Sequence, residues 1–382
     1  MISAWWADLL GCSDLSTTEH AQIHLPLYLG GLAAGGVRTR AAAAFLAGAA
    51  ATYLPAAHTL GFHSVEQLLG HAPRFRTDAE AAADRLAHDG VREDVLGWMR
   101  GRMLARGNHQ RQWTRAVHAA THAKILRSGP TSQVLGCRSG GGVGASAFLQ
   151  PPQCAADRVA DAHFVTSVRA RLGMPLWPPA NPVRPAGTAP QCQHRPRRGG
   201  PCCGAQLDAD GRHAAQCEVG GHVLDRHDDA VKLIARRLRQ DTGAYVDTEQ
   251  RRQELDYLDD EGKLVAARLD LVVVFCGVEY LLDVTYADVR TTDKDRLAAR
   301  LRRDGAAADG AEDRKRRRYP TQSLVPIAIE SGGRLGSAGL RWLRSVYGRA
   351  GASLEWPAFL RELSAHTQAA TATTIISATA GA

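Results

Sequence analysis

Six metal-ligating side chains crowd one short stretch of this chain: Cys192, His194, Cys202, Cys203, His213 and Cys217. The other four cysteines, Cys12, Cys137, Cys154 and Cys276, are scattered. The N-terminus carries Asp8 and lacks a charged-then-apolar leader, so an intracellular chain is expected. In that setting such a cluster reads as a metal site before it reads as disulfides. Cys203, His213 and Cys217 are spaced by ten and then four residues. A four-residue interval on a helical turn lets His213 and Cys217 point the same way, and the glycine after Cys203 lets its thiolate swing toward them. Thiolate and imidazole are the usual structural ligands of tetrahedral zinc. The fourth ligand is Cys192 or Cys202, with His194 more remote. Adjacent side chains diverge, so Cys202 and Cys203 do not bind together comfortably and Cys192 is preferred. The alternative is a set of free thiols in a loop. A bound Zn2+ would order a connector too polar to fold by itself.

At 382 residues the chain is long enough for two or three domains. An apolar fraction of 45% and a charged fraction of 23% argue against wholesale disorder and against a membrane protein. The most apolar stretch, 41–62, is rich in alanine, contains Pro55 and His58, and reads as a buried helix pair rather than a span. The net charge of +8 is almost all arginine, because the only lysines are Lys124, Lys232, Lys263, Lys294 and Lys315. Such a balance suits a phosphate backbone, although GC-rich coding would give the same bias. The run Arg314, Lys315, Arg316, Arg317, Arg318 is more specific, since five adjacent cations repel one another unless a polyanion is near. A solvated face or a nuclear-import tag is the plainer reading of that run.

Apolar spacing makes residues 1–125 helical, with helices over 78–87 and 92–105. Gly, Ser and Pro over 128–153 end that helical region, and a further helix follows at 157–172. The Pro/Arg-rich connector 174–200 is the main boundary. Beyond it the pattern predicts a helix over 222–240, strands over 268–275 and 279–285 turning at Cys276-Gly277, a charged helix over 293–303 and a strand over 324–329. Helix, hairpin, helix and strand make an α/β arrangement. The last dozen residues, rich in Ala and Thr, are expected to fray.

Asp270 and Asp283 interrupt the two apolar strands of that hairpin. A buried carboxylate is costly unless paired, hydrogen-bonded or metal-bound, and two that repel each other are most simply reconciled by a divalent cation. A four-residue turn over 275–278 sets Asp270 directly across from Asp283; a three-residue turn sends them to opposite faces. The alternative is that Asp283 caps a strand end and Asp270 pairs with Arg268. Glu249 is a candidate third oxygen ligand. Phosphodiester hydrolysis also needs a cation near the reacting phosphate, which narrows to Lys294 or Lys315, with Lys263 set aside in a turn. Tyr286-Ala287-Asp288-Val289 lacks the second aspartate of a polymerase box, so no polymerase site is read here.

The order Cys192, Cys203, His213, Cys217, then Arg226-His227-Asp228, then Leu269-Asp270 and Leu282-Asp283-Val284-Thr285 resembles the C-terminal region of site-specific non-LTR retrotransposon proteins. The likeness covers roughly 192–335. Upstream, Leu25-Pro26-Leu27 with Gly30-Gly31-Leu32, and Gly144-Ala145 through Arg171-Leu172-Gly173, resemble the helical segment after the reverse transcriptase of such elements. The resemblance implies a zinc knuckle followed by a restriction-like endonuclease of the PD-(D/E)xK fold. It implies Asp270 and Asp283 as Mg2+-binding carboxylates, Cys203, His213, Cys217 and Cys192 as zinc ligands, and a DNA-contact or packing role for His227. Leu269 stands where the family has proline. Thr285 stands where a standard nuclease has lysine, and relatives shift that lysine to the following helix, where Lys294 or Lys315 would serve.

The expected architecture is therefore α/β: a helical region over 1–174, connector and zinc knuckle over 175–221, a nuclease domain with a mixed sheet flanked by helices over 222–350, and a C-terminal helix and frayed tail over 351–382. The expected activity is Mg2+-dependent nicking of target DNA that leaves a 3′-hydroxyl to prime reverse transcription. Catalysis is assigned to Asp270, Asp283, Glu249 and Lys294 or Lys315. Nucleic-acid contact is assigned to Arg226, His227, Arg314, Arg316, Arg317 and Arg318. The expected partners are DNA and element RNA, with the polymerase supplied elsewhere, and the expected location is the nucleus. The alternative is an inactive nucleic-acid-binding relic of the element.

Overall fold

The computed structural model describes residues 2–100, 108–177, 190–258 and 261–379. They form two compact units: His20–Pro26 with Ala33–Gly129, and a larger one made of Met1–Glu19, Leu27–Leu32 and Pro130–Ala382. Much of the connector, 178–189, lies outside the described residues.

In the smaller unit, helices Val37–Thr59, Pro73–His88 and His109–Ser128 enclose Leu46, Leu69, Leu86, Trp98 and Trp113. The alanine-rich stretch is one helix with Pro55 inside it rather than a helix pair. Among the described residues, no helix is long and apolar enough to cross a membrane. The helix expected over 92–105 does not form at its start. Glu93 there accepts hydrogen bonds from Gln112 and Trp113, Asp94 pairs with Arg100, and the chain makes only the short turn Gly97–Arg100. Side-chain bonds of this kind offer acidic residues an alternative to helix; 101–107 lie outside the described residues.

In the larger unit the Gly/Ser stretch does not end the helices, because Thr131–Gly140 is itself helical. Its glycines permit close approach: a Cβ at Gly136 would sit 2.4 Å from the carbonyl oxygen of Arg171. Arg171, buried on the helix Asp161–Leu172, donates to the carbonyls of Gly30 and Gly140 and to Ser146. The two upstream motifs thus meet around one guanidinium.

The sheet has four strands in the order β1–β4–β5–β6, where β1 is Tyr245–Arg251, β4 Arg268–Phe275, β5 Val278–Ala287 and β6 Leu324–Glu330. The pairs β1/β4 and β4/β5 are antiparallel and β5/β6 is parallel. A two-stranded ribbon, β2 (Tyr257–Leu258) and β3 (Leu264–Val265), stands apart. The fold is thus mixed α/β, as expected. The helices His222–Thr242, Ser337–Arg349 and Trp356–Ser377 share one core with the sheet, which includes Ile234, Leu238, Leu271, Val273, Leu282, Ile327, Tyr347 and Phe359. β1 shows no strand signal in sequence because it is an edge strand on which only Val246 is buried. As far as it is described, the Ala/Thr-rich end does not fray: it is helical to Ser377, and Thr371, Ala372, Thr374 and Ile375 are buried, while 380–382 lie outside the described residues. Packing, not propensity, sets that boundary.

Two buried carboxylates lock the helix Ala306–Arg318 that carries the basic run. Glu330 accepts from the backbone of Ala307 and Ala308 at its N-terminus. Glu312, 1% exposed, accepts from Ala338 (2.9 Å) and Gly339 (3.0 Å) at the start of Ser337–Arg349. Anions at helix N-termini are favourable, and a buried charge-assisted bond is among the stronger ones. Glu312→Ala is expected to cost about 2 kcal/mol and to lower the thermal midpoint; an unchanged midpoint would assign the anchoring to apolar packing.

Candidate metal centre and carboxylate site

Two antiparallel backbone exchanges build the knuckle: Cys192 N–H donates to Ala205, and Gly204 N–H donates to Cys192. Gly204 takes the left-handed φ of +69° that folds Cys203 back toward the facing strand. Asp208 caps the turn Arg212–Gln216 through the N–H groups of Arg212 (2.5 Å) and His213 (2.9 Å), which aims the His213 ring. Cys192, Cys203, His213 and Cys217 then present four ligand atoms, all within 4.8 Å of one another. Cys192 Sγ lies 3.8 Å from Cys217 Sγ, and Cys203 Sγ lies 3.4 Å from His213 Nε2. Bonds of about 2.3 Å to sulfur and 2.0–2.1 Å to nitrogen at tetrahedral angles give edges of roughly 3.5–3.8 Å, so the donor set fits a zinc ion. Burial pushes the Cys217 thiol up to about 12 and raises Cys192, so both are protonated unless a metal takes the proton's place.

The fourth position is Cys192. His194 instead directs Nε2 to the Thr374 carbonyl and the Ser377 hydroxyl on the C-terminal helix, both at 3.0 Å. Cys202 lies outside the four-ligand cluster.

The β4/β5 turn is the four-residue form. Phe275 pairs with Val278, and Cys276 and Gly277 take φ of +51° and +76°. That register, extended one step past Leu271↔Leu282, sets Asp270 opposite Asp283. At this point the strands part, and Asp270 Oδ2 accepts the backbone N–H of Val284 at 2.7 Å. His227, on the helix His222–Thr242, brings Nε2 to 3.2 Å from the same oxygen and from the Val284 carbonyl. Its Nδ1 lies 3.0 Å from Asp228 Oδ1. Asp270, with Asp228 in support, raises His227 to about 9, against a smaller opposing effect of burial. Lys315 Nζ lies 2.8 Å from Asp283 Oδ1. Burial, reinforced by Asp270 and opposed by Lys315, pushes the Asp283 carboxyl up to about 6.

Four charged groups therefore alternate in sign: His227, Asp270, Asp283, Lys315. Asp283 Oδ2 is buried without a hydrogen-bond partner, and Asp270 keeps Oδ1 free of hydrogen bonds. Two opposed carboxylates, each with one uncommitted oxygen, form a donor pair suited to a hard divalent cation.

Other expected site residues fall elsewhere. Glu249 is level with Asp270 in the β1/β4 register, but its left-handed backbone (φ +53°) interrupts the ladder and its side chain is exposed. Among the described residues it does not join the two aspartates in a cluster of three. Lys294 opens the helix Lys294–Arg302, is exposed and makes no contact with either aspartate. Arg226 is a correction: it is 6% exposed and stacks 4.6 Å over the Tyr286 ring, so it packs instead of facing a nucleic acid. Arg314, Arg316, Arg317 and Arg318 are exposed along the basic helix. Asp288, of the polymerase-like tetrapeptide, is buried in an ion pair with Arg290 (2.6 Å). The contact of His227 with Asp270 had no sequence signal, because the two lie far apart in the chain and only helix–sheet packing joins them.

A comparison with protein-family models finds no family that matches the chain, and a comparison with curated proteins finds no match either.

Proposed function

We propose that this chain is the endonuclease segment of a non-LTR retrotransposon protein, a metal-dependent nuclease that nicks target DNA so that the freed 3′-hydroxyl primes reverse transcription by a polymerase carried elsewhere. The observation that carries this reading is the pair Asp270 and Asp283, opposed on neighbouring strands, with Lys315 brought to Asp283 by the helix Ala306–Arg318, the second after the hairpin. A mixed sheet flanked by helices supports the restriction-like core within the broader α/β class.

Asp270 Oδ1 and Asp283 Oδ2 would hold Mg2+. Bound there, Mg2+ would supply positive charge that makes a water more acidic and offsets the negative charge building on the phosphate. A water oxygen attacks phosphorus and gives up a proton to solvent, the P–O3′ bond breaks, and the departing 3′-oxygen takes up a proton from solvent to become the 3′-hydroxyl. Lys315, bonded to Asp283 Oδ1, contributes a positive charge beside the phosphate. Arg314, Arg316, Arg317 and Arg318 on the same helix grip the backbone without reading sequence. The four knuckle ligands hold Zn2+ in a structural role. Association with DNA, and with element RNA, makes the nucleus the expected location.

The test is nicking of supercoiled plasmid with Mg2+ or Mn2+, measured beside DNA affinity in the same preparations. Nicking lost in Asp270→Asn with affinity kept supports the nuclease. Binding without nicking by the unaltered chain leaves the inactive nucleic-acid-binding relic as the better account.

A further inference from the structure

We infer that His227 is a positioning residue of the carboxylate site, an inference that rests on the nuclease reading above: its Nε2–H holds Asp270 so that Oδ1, not Oδ2, is offered to the metal. All three neighbours of the ring nitrogens are oxygens without protons: Asp228 Oδ1 at 3.0 Å from Nδ1, and Asp270 Oδ2 and the Val284 carbonyl, each at 3.2 Å from Nε2. Nε2 faces the Val284 carbonyl, which can only accept, and so carries the donor that Asp270 receives, while the Asp228 contact at Nδ1 holds the ring plane from the other side. Asp270 Oδ2 already accepts the Val284 N–H at 2.7 Å, so His227 is its second donor. Two donors on one oxygen of a carboxylate hold it against rotation and leave Oδ1 as the oxygen without a donor, on the residue opposite Asp283 in the strand register. The helix that carries His227 is held in turn by Arg226 stacked on Tyr286 of β5, the strand that also carries Asp283. Helix and strand therefore stay in register at the site. His227 touches neither substrate nor reacting atoms; it acts through Asp270.

The readout is Mn2+ affinity, followed by the electron paramagnetic resonance of free Mn2+ in the zinc-loaded full chain, with nicking against Mg2+ concentration measured in parallel. His227→Ala removes the donor and the charge, and His227→Gln removes the charge but keeps an N–H donor. The expected result is Mn2+ binding weakened roughly tenfold or more in His227→Ala and restored to within a few-fold in His227→Gln. The Mg2+ concentration for half-maximal nicking should shift in parallel. Alanine and glutamine variants that both bind Mn2+ as tightly as the unaltered chain, or more tightly, would overturn the inference, because charge alone or nothing at all would then connect His227 to the metal. Should His227→Ala fail to fold, weakened Mn2+ binding in a folded His227→Gln overturns it equally. Asp270→Ala separates the two levels. If that variant loses Mn2+ while His227→Ala does not, only the inference fails. If it keeps Mn2+, the nuclease reading fails and the inference with it.

Discussion

Asp283→Ala is expected to reduce Mg2+-dependent nicking on the order of 10³-fold or more, the loss of several kcal/mol of transition-state stabilisation. Lys315→Ala should cost on the order of 10²–10³-fold, as removal of a preorganised charge at a reacting oxyanion does elsewhere. Lys294→Ala should leave the rate within about threefold, because that side chain is exposed and touches neither carboxylate. The three variants read one geometric fact, the 2.8 Å bond between Lys315 and Asp283. Asp283 is 3% exposed and has an unpartnered oxygen, so its removal relieves a buried charge, and Lys315 is exposed enough to turn to water. The thermal midpoint of Asp283→Ala should therefore not fall. Activity lost with stability kept is the mark of a functional carboxylate. Equal losses from Lys294→Ala and Lys315→Ala would instead mean that the lysine works through overall charge.

Stripping the metal with a chelator, or changing Cys217→Ser, should unfold the knuckle and lower the thermal midpoint by roughly 5–10 °C. Without metal, Cys192 and Cys217 remain as buried thiols beside Leu207, Ala214 and Ala215, in a core small enough to depend on the ion. The damage should spread to the end of the C-terminal helix, because Gln193 donates to the Ala378 carbonyl and His194 bonds Thr374. Hydrogen exchange is the decisive measurement: protection should be lost over 192–217 and at the last turn before Ser377, and kept in β4 and β5. Zinc content of one ion per chain, lost in Cys217→Ser, completes the test. Affinity should weaken as pH falls, since Cys192 and Cys217 must each give up a proton that burial makes them hold more tightly. A chelated chain that kept protection at 192–217 would show the knuckle to be held by apolar contacts alone.

What the sequence determined by itself are the features fixed over short range. The interval from His213 to Cys217, the apolar runs of β4 and β5, and the Cys276-Gly277 turn each depend on neighbours within a few residues. Together they set the α/β class, the ligand cluster and the opposition of Asp270 to Asp283, because side-chain alternation in a hairpin leaves only two registers to choose between. What the tertiary structure decided are the contacts between distant segments. The choice of Lys315 over Lys294 depends on where Glu330 and Glu312 anchor one helix. The partnership of His227 with Asp270 and the burial of Arg226 depend on how another helix lies on the sheet. The order of the Ala/Thr-rich end depends on the core it covers. Local propensity carries no information about which distant surface a side chain will meet, so those assignments had to wait for the packed chain.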